Sequence, residues 1–125
     1  MQVIHSDQAP QVVGPYSQAI EYNGVLYTAG QIGLDPVTNT LVDGIEDQAL
    51  RVLRNLDAVL IAGGTDRTRV LKTTIFLSDM ANYDVVNRVY AGFFGEHKPA
   101  RSTVQVADLP RGALVEIECV AALAQ

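Results

Sequence analysis

Arg101 follows Pro99-Ala100 directly and opens Arg101-Ser102-Thr103-Val104-Gln105-Val106, a run that alternates as a β-strand does. A guanidinium presents its N–H donors in a planar fork, which suits a carboxylate or phosphate ligand. A second run, Val115-Glu116-Ile117-Glu118-Cys119-Val120, sets Glu116 and Glu118 on one strand face. Val115, Ile117 and Cys119 take the other. Read as neighbouring strands, the two runs allow a surface ion pair, or an anion anchor beside a carboxylate base. Residue chemistry alone leaves both open. Tyr16 after Gly14-Pro15, Thr103 on the face of Arg101, and Asn87 one position beyond apolar Val86 complete the polar set. Each also has a structural reading: a half-buried aromatic, a strand former and a cross-element hydrogen-bonding group.

Other chemical signatures are missing. His5 and His97 lie far apart, and there is no H-E-x-x-H, cysteine pair, G-x-S-x-G or P-loop. No metal and no cofactor is expected. Gly30-Gln31-Ile32-Gly33 matches the RNA-binding G-x-x-G in form, but it follows a strand in an acidic chain and reads as a turn.

The elements that must hold these residues alternate along the chain. Gln2–His5 reads as a short strand. Ser17–Tyr22 and Val25–Gln31 flank Asn23-Gly24, a pair that tolerates positive φ and predicts a type I′ hairpin. Leu34–Asp43 is rich in turn residues. Ile45, Ala49, Val52, Leu53, Leu56, Val59 and Leu60 recur at helical spacing until Gly63-Gly64, with Asp47 and Arg51 four apart on the outer face. Val70–Leu77 is a strand. Asp79 or Asn82 can cap a second helix whose apolar stripe is Tyr83, Val86, Tyr90, Phe93 and Phe94. Two strands follow, joined around Leu109-Pro110-Arg111-Gly112. The order β-β-β-α-β-α-β-β predicts an α+β fold, residues 1–125 forming one domain with two helices on one face of a single sheet. Several strands are apolar on both faces, so the uncovered face is expected to pack on another copy.

Composition narrows the classes. Nine Lys and Arg against fourteen Asp and Glu give a net charge of −5 with no basic stripe, which argues against nucleic acid. A lone cysteine permits no internal disulfide. No apolar run approaches membrane-spanning length, and the first residues lack the pattern of a signal peptide. A cytoplasmic protein is expected, with no membrane partner.

Taken together, several stretches resemble the Rid family (reactive intermediate deaminases, also called YjgF-like) nearly end to end. They are Gly14-Pro15-Tyr16-Ser17-Gln18-Ala19; Tyr27-Thr28-Ala29-Gly30-Gln31-Ile32; Ala62-Gly63-Gly64; Lys72-Thr73-Thr74; Val86-Asn87 with Tyr90; Pro99-Ala100-Arg101-Ser102; and Val115-Glu116-Ile117-Glu118. The resemblance implies a chorismate-mutase-like mixed sheet in a homotrimer with clefts between subunits. It implies hydrolysis of enamine and imine acids, such as 2-aminoacrylate and 2-iminopropanoate, to a 2-keto acid and ammonia without a cofactor. Arg101 then anchors the substrate carboxylate and Glu116 positions the attacking water. Tyr16, Gly30, Asn87 and Thr103 line the cleft. The chain departs from the family in two places: Glu96-His97-Lys98 leads straight into Pro99, and Ala29 stands where a serine is frequent. The short approach also resembles the branch assigned to aminoacrylate turnover in pyrimidine breakdown. A non-catalytic binder of keto acids or other small carboxylates is the alternative. A protein-interaction role, as chaperone or translation-inhibiting ribonuclease, comes third.

Overall fold

Asn23 and Gly24 both take left-handed backbone conformations, at φ 52° and 77°. They close the hairpin between β2 (Ala19–Tyr22) and β3 (Val25–Thr28), as the Asn-Gly pair predicts. The structure, a computed structural model, describes residues 1–124. The remaining elements are β1 (Gln2–Ile4), β4 (Gln31–Ile32), α1 (Ile45–Ala62), β5 (Val70–Leu77), α2 (Tyr83–Phe94), β6 (Ala100–Gln105) and β7 (Val115–Ala122).

The strands form one mixed sheet in the order β1-β2-β3-β7-β5-β6, with β4 also on β7. Only β5 and β6 run parallel, joined through α2; the other pairs are antiparallel. The α+β architecture of one mixed sheet and two helices is therefore present. Val52, Leu53, Val59 and Leu60 of α1 and Val86, Tyr90 and Phe94 of α2 share a core with Leu26, Val70, Ile75, Leu77, Val115, Ile117 and Ala121 of the sheet. Both helices lie on that face. The other face carries none, and Val3, Tyr27 and Val104 are 62%, 49% and 43% exposed there.

The end of α1 follows from its glycines. Gly64, at φ 84°, donates to the Ile61 carbonyl, and the Thr65 amide reaches back to Leu60. This is a Schellman closure, which needs a residue free to turn left-handed.

Four expectations change. β6 and β7 are not neighbours, because β5 pairs with both and lies between them. The Gly30–Gly33 turn contains a short strand, Gln31–Ile32, that pairs with β7. Arg51 donates to Asn55 Oδ1 at 3.0 Å and forms no pair with Asp47, since the buried Asn55 offers an acceptor one turn ahead. Asp79 caps the 3-10 turn Met80–Asn82 that leads into α2, and Asn82 makes no side-chain cap.

Candidate functional site

Arg101 stands in β6, the edge strand, and pairs in register with Thr73 of β5. Thr73 is buried beneath α2, so Arg101 projects from the helix-bearing face. Its Nη1 donates to Asn87 Oδ1 at 2.8 Å and its Nη2 to the Tyr83 hydroxyl at 3.0 Å. The guanidinium carbon lies 5.1 Å from the Tyr90 ring centroid and 5.7 Å from that of Tyr83. Both hydrogen-bond acceptors are neutral, and among the described residues no carboxylate forms an ion pair with Arg101. The guanidinium therefore keeps its full charge, with donors to spare, beside a groove of about 480 Å3. His97, Lys98 and Pro99 line the same groove, which contains no acidic residue. Thr103, two residues on, shares the Arg101 face. Its hydroxyl is the only buried side-chain polar atom without a hydrogen-bond partner among the described residues.

Glu116 belongs to a second cleft of about 270 Å3, lined also by Tyr16, Gly30, Gln31, Pro110 and Arg111. Its wall depends on a break in pairing along β7. Leu26 pairs with Ala121 and Tyr27 with Val120, but Gln31 pairs with Ile117 and Ile32 with Glu116. The register slips by one residue between β3 and β4, as at a β-bulge. The Thr28 hydroxyl fills the gap in the ladder by accepting from the Cys119 amide at 2.9 Å. Gly30 sits within that break, and a Cβ there would come 2.5 Å from Glu116 Oε2. Glycine is what lets the carboxylate lie against the backbone. Burial, and then the charge of Glu118, raise the Glu116 pKa above the ordinary carboxylate value. Tyr16 remains 55% exposed at the cleft mouth. Its loop is held by buried Gln18, which accepts from the Ser6 amide and donates to the carbonyls of Ser6 and Pro10.

The two clefts do not meet within one chain. Thr73 pairs with Arg101 on one side and Cys119 on the other, so all three face the helices. Glu116 is an odd number of residues from Cys119 and faces the opposite side of the sheet. Two strand spacings across and three residues along put the Cα atoms of Arg101 and Glu116 about 14 Å apart. The structure thus gathers Arg101, Asn87 and Thr103 into one half and Tyr16, Gly30 and Glu116 into another. The ion-pair reading of Arg101 with Glu116 fails on this geometry.

Two residues at these clefts had no assigned role in the sequence. Tyr83 reads as part of an apolar stripe, yet it lies four residues before Asn87 on the same helix face and shares its guanidinium. Arg111 lies in the Pro110–Gly112 turn with φ 60° and donates to the Asn39 carbonyl at 3.1 Å. Only the fold carries it to Glu116. Buried Cys119 has its thiol pKa raised to about 11, chiefly by burial, which disfavours the nucleophilic thiolate at neutral pH. His5 pairs with Asp7, and the His97 ring lies 2.6 Å from the Val70 carbonyl. Among the described residues no group of three or more His, Cys, Asp and Glu could hold a metal ion.

Comparison with known proteins bears on the whole chain. A family model described as Endoribonuclease L-PSP matches residues 6–123. The chain is 45% identical over 120 residues to a Mus musculus protein named 2-iminobutanoate/2-iminopropanoate deaminase, covering 95% of this chain and 89% of that one. It is 46% identical over 123 residues to Reactive Intermediate Deaminase A, chloroplastic, of Arabidopsis thaliana, across 98% of this chain and 66% of the other. The crystal structure of E. coli TdcF with bound serine superposes with a TM-score of 0.96 at 35% identity, covering 99% of this chain and 100% of that one.

Proposed function

This chain belongs to the Rid (YjgF-like) family, to which the L-PSP description also refers, and from that premise we propose that it is an imine/enamine deaminase. Its substrates are small 2-imino acids of the 2-iminopropanoate type, and its products a 2-keto acid and ammonia. The observation that carries this reading is the Arg101 guanidinium, held by two neutral acceptors and left without a counter-ion. A carboxylate on the substrate supplies that charge through two parallel hydrogen bonds. The bound serine named for TdcF is a ligand with such a carboxylate.

In the proposed reaction Glu116 takes a proton from a water as its oxygen adds to the imine carbon. Returning that proton to nitrogen gives the carbinolamine. Glu116 then takes the hydroxyl proton and passes it to nitrogen as the C–N bond breaks, so the C=O bond forms and ammonia leaves. A carboxylate with a raised pKa is a stronger base than a solvated one, and it suits this transfer near neutral pH. Holding acid, water and base together supplies much of the remaining rate. Backbone at Gly30 accepts from the imine nitrogen, and Tyr16 and Thr103 line the cleft.

Because Arg101 and Glu116 occupy opposite faces, the complete site in this proposal spans two subunits. One copy brings Arg101, Asn87 and Thr103, and its neighbour brings Glu116, Gly30 and Tyr16. A homotrimer packed through the exposed sheet face provides such seams. The exposed Val3, Tyr27 and Val104 on that face support such packing. The endoribonuclease activity that the family description names is not favoured, since the chain is acidic and both histidines are engaged elsewhere.

The test generates 2-iminopropanoate with an amino-acid oxidase and follows its loss. Wild-type protein should accelerate loss beyond buffer, and Arg101→Ala should lower kcat/KM by about 100-fold or more. No acceleration by the wild type would refute the deaminase reading and leave a carboxylate binder.

A further inference from the structure

The Arg101 guanidinium is held from α2 by two groups spaced one helical turn apart. Asn87 Oδ1 takes a hydrogen of Nη1 and the Tyr83 hydroxyl a hydrogen of Nη2, at 2.8 Å and 3.0 Å. Two contacts on two different nitrogens fix the plane of the fork as well as its position, which one contact would not do. The Tyr83 ring packs against the hydrophobic core, so its hydroxyl is carried on a rigid arm. A phenol oxygen binds a guanidinium without cancelling its charge, unlike a carboxylate. Arg101 is thereby oriented while remaining fully cationic.

We infer that Tyr83 is a positioning residue of the anion subsite, pre-orienting Arg101 so that the open edge of the guanidinium meets a small carboxylate. The inference deepens the proposed function, but its binding arm stands apart from turnover. Without the Tyr83 hydroxyl the guanidinium can turn about its side-chain torsions, and part of the binding energy goes into ordering it again. The defect then falls on association with the carboxylate and spares the step at the imine carbon.

Tyr83→Phe retains the packed ring and removes only the hydroxyl. The assembled protein should bind pyruvate about tenfold more weakly, measured by calorimetry. For 2-iminopropanoate, KM should rise by a similar factor while kcat stays within about twofold. In NMR spectra the Arg101 Nη protons should exchange positions faster in the variant than in the wild type. Pyruvate affinity within about twofold of wild type would overturn the inference, whether or not KM changes. A wild type that binds pyruvate without accelerating imine loss sinks the deaminase reading, while the affinity ratio still decides the role of Tyr83. A wild type that binds no pyruvate overturns the inference, while imine loss alone decides the deaminase reading.

Discussion

Glu116 is an acid whose behaviour follows from where its carboxylate rests. Burial against Gly30, with Glu118 two residues along the same face, raises its pKa. The acidic limb of the kcat/KM profile should therefore have its midpoint above the ordinary Glu value of about 4.3, because the proposed base is the ionised form. Glu116→Gln should lower kcat by roughly 100-fold or more while leaving pyruvate binding in place. Stability should move the opposite way. A carboxylate raised in the folded state contributes most below its ordinary pKa, and that contribution is lost as pH rises through the raised one. The glutamine, which stays neutral, should raise the denaturation midpoint at neutral pH and leave it unchanged below about pH 4. A thermal melt at both pH values measures this. A midpoint lowered at neutral pH would mean that the carboxylate has a favourable partner.

At the scale of elements, the one-residue slip between β3 and β4 shapes the Glu116 cleft. Thr28 closes the ladder with its side chain, and buried Asn55 holds the far end by donating to the Ile32 and Leu34 carbonyls. Gly30 between them has no room for a methyl group without moving the carboxylate. Gly30→Ala should cost about 1–3 kcal/mol through overpacking, readable as a shift of the denaturation midpoint. It should also reduce kcat more than about tenfold while the Arg101 half still binds pyruvate. Unchanged turnover would show that the displaced carboxylate is not needed. The bulge was hidden in the sequence because Val25–Gln31 reads as one continuous strand. Nothing in its alternation marks where pairing along β7 will slip.

At the scale of the molecule, the sheet divides its own candidate site. Arg101 faces α2 and Glu116 faces the uncovered side, so a single chain holds them in separate clefts. Mixing Arg101→Ala subunits with Glu116→Gln subunits should consequently restore activity. A seam that combines the intact half of each variant holds one complete site. Each variant alone should stay inactive, and the mixture should recover roughly a tenth to a third of the wild-type rate after subunit exchange. Sedimentation of the wild type should report an oligomer. A monomer that turns over imine, or a mixture that stays inactive despite proven exchange, would sink the shared-site reading.

Much of the architecture was legible as local pattern. Asn23-Gly24, the helical recurrence from Ile45 to Leu60 and the glycines that end it each act within a few residues, through φ preference and periodicity. Arg101 was legible as a candidate from its type and strand position, whereas only the family resemblance set Glu116 apart from Glu118. The relation between Arg101 and Glu116 was not legible. Two alternating strands consecutive in sequence look like neighbours, but pairing depends on which edge each strand reaches. β5 takes β7 on one side and β6 on the other, and this sets both the separation and the opposite facing of the two residues. The role of Tyr83 was hidden in the same way, since its spacing marks an apolar stripe and only the approach of β6 to α2 gives its hydroxyl a partner. Periodicity is a property of the chain, whereas adjacency between strands and helices is settled by the burial of the whole core.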